Sequence, residues 1–386
     1  MENSREVYDV VVVGAGIEGS ATAYHLAKSG KHVLLVDQFP LPHSRGSSHG
    51  QSRITRKAYG PQDFYTRMMD EAYRLTEVLQ AECGEQLFIK CGTLVFGRYD
   101  DPFTVGTEDC LRRFNVPFEK FGSAEQRRRY PGMEFPKDFT FVLDKTGGVL
   151  RADKMLQAFQ KQFVRYGGVL VDGEPMKELL PGEIVTVRTP RRMFRGRSVV
   201  LALGPWAANF LPTIGVDIPL QPQRIAVYYW RSNETGRFDT ATFPTIITEN
   251  ATQRDQCIYG LPAEEYPGLV KICLHTGPDV DPDRRDAVDS RWVEDRMRAI
   301  IAQNFPGLDP TPAVTETCIY TMTPDHDPVL DHHPAWKNIV IAAGFSGHGF
   351  KLSPVVGKVL SQLATGQTPE YDMSHFRLAR FHKHKL

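Results

Sequence analysis

An α/β fold with two interleaved sheets is what the sequence predicts: a Rossmann-like parallel sheet with helices on its faces, and a mixed, largely antiparallel second sheet. Three observations carry this. The chain opens on strand, glycine turn, helix and strand in that order; short β-rich runs broken by Gly and Pro fill 86–147 and 219–318; and buried-type strands return near Val199 and Ile339. Both parts are therefore discontinuous, with 1–85, 148–218 and 319–386 expected in the first and 86–147 and 219–318 in the second.

Residues 9–13 include four consecutive valines, the composition of a parallel strand buried on both faces. Gly14-x-Gly16-x-x-Gly19 follows at once. Gly14 suits the tight turn, Gly16 lets backbone approach a pyrophosphate, and Gly19 lets the helix pack on the strand. The helix continues through Ala21, Tyr24, Leu26 and Ala27 to Gly30 as its C′ residue, and 31–36 form the second strand. Asp37 ends that strand, where an acid accepts from a ribose hydroxyl. The whole series identifies a dinucleotide site far more specifically than the glycines alone. Asp37 disfavours a phosphorylated ribose, which leaves FAD and NAD open.

Bulk properties narrow the class. The 386 residues carry 46 Lys+Arg against 46 Asp+Glu, so nucleic acid is not the expected partner. No apolar run approaches a membrane span and the first six residues hold no signal core, so a soluble intracellular protein is expected. Cys83, Cys91, Cys110, Cys257, Cys273 and Cys318 are scattered without C-x-x-C spacing, the pattern of a reducing compartment without disulfides or structural zinc. The terminal His384-Lys385-Leu386 is similar to a Ser-Lys-Leu peroxisomal address, the alternative being a plain basic tail.

After Asp37, residues 40–56 are too rich in Gly, Ser and Pro for regular structure yet hold three arginines and two histidines, as a ligand loop would. Helical spacing covers 64–83, and 87–141 read as antiparallel strands. Arg127-Arg128-Arg129 closes a short helix and reads as a solvated face. Met155, Phe159 and Phe163 set a helix stopped by Gly167-Gly168; strands follow at 169–171, 184–187 and 197–203. From 219 to 318 the pattern is strand-like again, with one helix over 290–305. Lys271, Cys273 and His275 fall on one strand face, and a lysine in so apolar a strand is costly to bury without a use. The last buried strand, 338–343, runs into a second Gly-rich turn and a helix with Ser353 as N-cap and Pro354 at N1. The cluster Asp325 to His333 looks metal-like by composition, but Pro324, Pro328 and Pro334 exclude helical ligand spacing, and no metal is expected.

With these stretches assembled, the chain resembles the flavin-dependent amine oxidases of the monomeric sarcosine oxidase family, in particular its animal peroxisomal members, which act on sarcosine and L-pipecolate. The anchors are Gly14-x-Gly16-x-x-Gly19, His43-Ser44-Arg45-Gly46-Ser47-Ser48-His49-Gly50-Gln51-Ser52-Arg53, Cys318-Ile319-Tyr320 and Gly344-Phe345-Ser346-Gly347-His348-Gly349-Phe350-Lys351. The resemblance implies FAD, held by Gly14, Gly16, Gly19, Asp37, Ser47, Ser48, His49, Gly344, Gly347, His348 and Gly349, and bonded covalently through Cys318. It implies that Arg56 and Lys351 grip a substrate carboxylate, with Tyr59, Tyr259 and Tyr320 as pocket walls. Lys271 is placed where oxygen is reduced, His275 on the substrate side, and Arg53 near the flavin ring. Where bacterial members carry Asp-Thr this chain has Gln51-Ser52, and Pro61-Gln62 stands where they carry an acid.

The expected activity is that of a monomeric peroxisomal oxidase of secondary or cyclic amino acids (sarcosine, L-pipecolate, L-proline), giving imines and hydrogen peroxide. Two rivals stay open: a dehydrogenase using an acceptor other than oxygen, and a non-catalytic FAD-binding protein.

Overall fold

A computed structural model of the chain describes residues 2–249 and 256–384. The strand Glu2–Val13 lies inside an eight-stranded sheet. Its parallel core runs in the order Val169–Val171, Val33–Val36, Glu2–Val13, Arg192–Leu201 and Ile339–Ala343. Antiparallel additions flank it: Val329–His332 beside Ile339–Ala343, and Val185–Arg188 with Glu178–Leu180 beside the first half of Arg192–Leu201.

The valine run is apolar throughout because both sheet faces are covered. Val10, Val12, Val33, Leu35, Val200 and Val340 pack under the helices Ile17–Lys28, Asp63–Cys83, Ala152–Arg165 and Ser353–Ala364. Val11, Val13, Leu34, Val36, Val199 and Ile341 fill the opposite face. Gly30 at φ 79° closes the first helix, donating to Ala27 O while Lys31 N–H donates to Leu26 O, a Schellman ending.

The second sheet also has eight strands, in the order Leu308–Met322, Gln221–Ser232, Leu269–Leu274, Ile258–Tyr266, Thr245–Ile247, Thr93–Arg98, Phe139–Asp144 and Phe118–Gly122. Val270, Ile272, Leu274 and Trp230 point to a core shared with the helix Arg291–Asn304. Tyr229, Cys273 and Cys318 point to the other side. A small sheet of Ser52–Thr55, Gly148–Arg151 and Phe88–Lys90 completes the fold.

Several expectations need correction. The end of the loop read as irregular over 40–56 is the strand Ser52–Thr55, recruited by pairing with Gly148–Arg151. Residues 87–141 also contain the helix Pro102–Arg113, started by Asp101 accepting from Thr104 N–H. The second sheet is mixed as expected, Thr93–Arg98 pairing in parallel with Thr245–Ile247. Ser353 is the first helical residue and not the cap; the helix continues from a 3₁₀ turn, Phe350–Leu352, and Leu352 occupies the cap position. The expected division between 318 and 319 falls inside the strand Leu308–Met322. Lys385 and Leu386 of the terminal tripeptide lie outside the described residues.

Candidate active site

A cavity of about 830 Å³ starts at the glycine turn and ends against the second sheet, lined along the way by Gly14, Gly16, Asp37, Ser47, Ser48, Cys318, Gly344 and Gly347. Its near end is held by specific bonds. Gly14 has φ 103°, and a Cβ there would stand 2.2 Å from Ala202 O. A Cβ on Gly19 would stand 1.8 Å from Gly14 O, so the helix can pack on the turn only with glycine at that position. Asp37 Oδ2 accepts from Ala15 N–H at 2.7 Å, and Ser48 Oγ accepts from Ile17 N–H at 2.9 Å. The acid and the loop serine thus hold the turn open toward the cavity. Glu18 is buried on the same wall with neither carboxyl oxygen bonded among the described residues, and burial holds its carboxyl well above the usual range.

Arg53 organises the loop at the far end. Its guanidinium donates to the carbonyls of Ser52 (2.8 Å), Ser47 (3.0 Å) and His49 (2.6 Å), and it lies over the Phe350 ring. The Cys318 thiol faces Ser47 O at 3.6 Å and lines both this cavity and a smaller neighbour. His49 bridges the Gly46 and Thr317 carbonyls at 2.7 Å each, tying the loop to the strand that carries Cys318. Gly347, at φ 83°, lets the Tyr320 ring lie 2.6 Å from where a Cβ would be.

The smaller cavity, about 80 Å³, is lined by Arg53, Arg56, Tyr259, Lys271, His275, Cys318, Tyr320, His348 and Lys351. Tyr59 is not among its lining residues, but it stacks beneath both Arg56 (4.8 Å) and Lys351 (5.1 Å). The Arg56 side chain is 4 % exposed; Nη2 donates to Glu249 Oε1 at 3.2 Å, and Nη1 is buried with no partner among the described residues. Lys351 donates only weakly, to His348 O at 3.2 Å; burial first, and then the Arg56 charge, push its ammonium well below the ordinary range. Two buried cations with donors to spare make a site for a small carboxylate.

His275 sits one residue past its strand, with Nδ1 3.1 Å from the Tyr320 hydroxyl and its ring against Tyr259. His348, grouped by resemblance with the cofactor residues, lines the small cavity and not the long one. Its Nε2 faces His326 O at 2.9 Å, and burial pushes the ring down to about 3, so it is neutral and Nδ1 is an acceptor with no partner among the described residues.

Sequence reasoning missed the acids. Lys271 is bonded to Glu265 at 2.8 Å, and Glu249 faces Arg56. Pro267-Gly268 is a hairpin signal, but its register sets Tyr266 opposite Leu269 and so Glu264 opposite Lys271; a register shift between Leu261 and Tyr266 brings Glu265 there instead. Glu249 has no such signal. Among the described residues no group of three His, Cys, Asp or Glu is placed to hold a metal; Asp325 and Asp331 pair with Arg380 and Arg377, and Asp327 accepts from Tyr65.

Comparison with known proteins decides the family. The family model described as FAD dependent oxidoreductase matches residues 9–363. The chain belongs to this family. Among relatives of this FAD-dependent oxidoreductase, the peroxisomal sarcosine oxidase of Mus musculus is 45% identical over 99% of this chain and 98% of its own length. The monomeric sarcosine oxidase of Arthrobacter sp. (strain TE1826) is 34% identical over 97% and 96%. Among solved structures, the open form of NikD, an amino acid oxidase essential for nikkomycin biosynthesis, superposes with TM-score 0.85 at 26% identity, covering 96% of this chain and 97% of that one.

The residues present fit FAD. The long cavity starts where backbone, cleared of side chains at Gly14, Gly16 and Gly19, meets a helix N-terminus suited to pyrophosphate, and Asp37 lines it beside the turn for the ribose. Its other end adjoins the cationic pocket through the shared walls Arg53, Cys318, Tyr320 and Gly347, the residues that would hold the flavin end of the cofactor.

Proposed function

We propose that this FAD-dependent oxidoreductase oxidises small secondary amino acids, sarcosine foremost and L-pipecolate or L-proline as cyclic alternatives, with oxygen as acceptor. The observation carrying the reading is the pairing of Arg56 and Lys351 in a pocket that shares its inner wall with the cofactor cavity. The names of the relatives supply the substrate class.

Arg56 Nη1 and the Lys351 ammonium take the carboxylate, while Tyr59 fixes both cations from below. Arrival of the carboxylate favours the charged form of Lys351, which burial disfavours. The amine enters as its neutral base, since a protonated nitrogen cannot release electron density to its neighbouring carbon. With the carboxylate anchored, the N-methyl of sarcosine and the ring CH₂ of pipecolate occupy the same place, across nitrogen. Tyr259, Tyr320 and His275 close the wall and exclude water. FAD, when bound, supplies the two-electron acceptor for that C–H bond and hands the electrons to oxygen. The imine leaves and hydrolyses, or persists if cyclic.

Lys271 offers a fixed positive charge where oxygen gains electrons, an electrostatic role. Cys318, at the junction of the two cavities, carries the cofactor covalently through its sulfur. The protein acts as a monomer, and the His384-Lys385-Leu386 tail directs it to peroxisomes, where peroxide is removed as it forms.

Anaerobic titration with sarcosine, L-pipecolate and L-proline tests the reading. Bleaching of the flavin by at least one supports it; no bleaching by any of them leaves the non-catalytic alternative. Bleaching without reoxidation in air points to the dehydrogenase.

A further inference from the structure

Lys271 carries a partner that nothing in its strand announces. Its ammonium donates to Glu265 Oε1 at 2.8 Å and to Ser52 Oγ at 3.3 Å, with side-chain exposures of 6% for the lysine and 3% for the glutamate. Ser52 in turn donates to the same glutamate, and the Tyr229 hydroxyl donates to Glu265 Oε2 at 2.7 Å. Both carboxylate oxygens are therefore held, and the carboxylate has one orientation. Tyr229 is also the cross-strand neighbour of Lys271.

The placement of the pair is asymmetric. Lys271 and Ser52 line the small cavity, and Glu265 does not. The negative end points into the protein and the positive end toward the reaction space, and one of the three ammonium N–H donors is left for a ligand. A lone ammonium this deeply buried would shed its proton to escape desolvation. Burial pushes the Glu265 carboxyl up, but Lys271, Ser52 and Tyr229 outweigh it, and the carboxyl sits below its ordinary value.

We propose that Glu265 is a positioning residue for the oxygen half-reaction: it keeps Lys271 charged and aims its free N–H at the place where oxygen is reduced. The proposal rests on the oxidase reading above. Oxygen takes two electrons from the reduced cofactor and two protons, one carried by that cofactor and one from solvent, and leaves as hydrogen peroxide. Negative charge develops on oxygen before the protons arrive, and the oriented pair stabilises it there. The Tyr229 ring centroid lies 5.4 Å from the Lys271 ammonium and Cys273 interacts with it electrostatically; Arg53, Arg56, His49, His275, His348, Glu316, Lys351, Tyr259 and Tyr320 line the same cavity, and the hydrogen bonds of the ammonium go to Glu265 and Ser52.

The test separates the two half-reactions. In Glu265→Gln, which keeps shape and an acceptor but removes the charge, reoxidation of the reduced enzyme by oxygen slows by about tenfold or more, and substrate reduction of the flavin slows far less. With the partner charge removed, the variant's reoxidation rate also falls as pH rises, a dependence absent from wild type. Glu265→Asp restores part of the rate. A readout independent of turnover comes from thermal unfolding: Glu265→Gln and Lys271→Met each lower Tm, and the double variant recovers much of the loss because no buried charge is left alone. Wild-type reoxidation with a flat pH profile in Glu265→Gln, equal slowing of both half-reactions, or additive Tm losses would overturn the proposal. Reduced wild-type enzyme that stays reduced in air overturns instead the oxidase reading, and the oxygen role with it, while the Tm cycle still reports whether the pair is coupled.

Discussion

Arg56 gives Nη2 to Glu249 Oε1 at 3.2 Å and keeps Nη1 buried without a partner among the described residues. A substrate carboxylate therefore meets an arginine already shared with an internal acid, whose side chain is 37% exposed. Two consequences are measurable. Arg56→Met lowers kcat/KM for sarcosine by roughly ten- to hundredfold, the worth of a charge-assisted pair. Glu249→Gln acts oppositely, lowering KM by a few-fold and admitting amino acids with a second carboxylate, which Glu249 repels in wild type. Steady-state kinetics on sarcosine and an N-methylated acidic amino acid checks both.

Lys351 gives the pocket a pH signature. Burial and the Arg56 charge hold its ammonium well below the usual range, so it gives up its proton at a lower pH than an exposed lysine would. A carboxylate binds the protonated form. Binding of an unreactive carboxylate such as acetate is thus tightest at low pH, weakens as pH rises through the Lys351 value, and takes up a proton. Flavin-absorbance titrations across pH measure this, and Lys351→Met flattens the profile.

Glu18 works on stability. Its raised carboxyl contributes stability fully present below its unfolded value of 4.5, and this is lost as pH rises through the higher folded value. Glu18→Gln removes the ionising group, so the variant matches wild type near that value and gains on it with rising pH, by about 1–3 kcal/mol at most. Thermal unfolding of both proteins over a pH series checks the sign.

Cys318 is tested by denaturation. Wild-type protein unfolded in acid keeps its flavin absorbance with the polypeptide; Cys318→Ala releases it to the filtrate. Flavin lost from both would show that the cofactor is held without a bond.

Much of the fold was legible because local rules agree with the tertiary result. The valine run, the Gly14 turn and the Gly30 ending each follow from backbone geometry a few residues long. The strand face shared by Lys271 and Cys273 followed from the period of two. What was not legible depends on distant pairing. Ser52 reaches Glu265 across 213 positions, and Arg56 reaches Glu249 across 193, which no local pattern encodes. The helix start expected at Ser353 failed for a different reason: the preceding 3₁₀ turn already supplies the helical backbone, so a residue with capping chemistry has no cap to make.

The central claim is that amine oxidation at the Arg56–Lys351 pocket is coupled through FAD to oxygen. The most direct measurement is hydrogen peroxide release from sarcosine under air with no added acceptor, alongside the sarcosine consumed. The account predicts one peroxide per sarcosine, with the rate collapsing in Arg56→Met. Turnover that requires an artificial electron acceptor, or sarcosine consumed without peroxide, would contradict it.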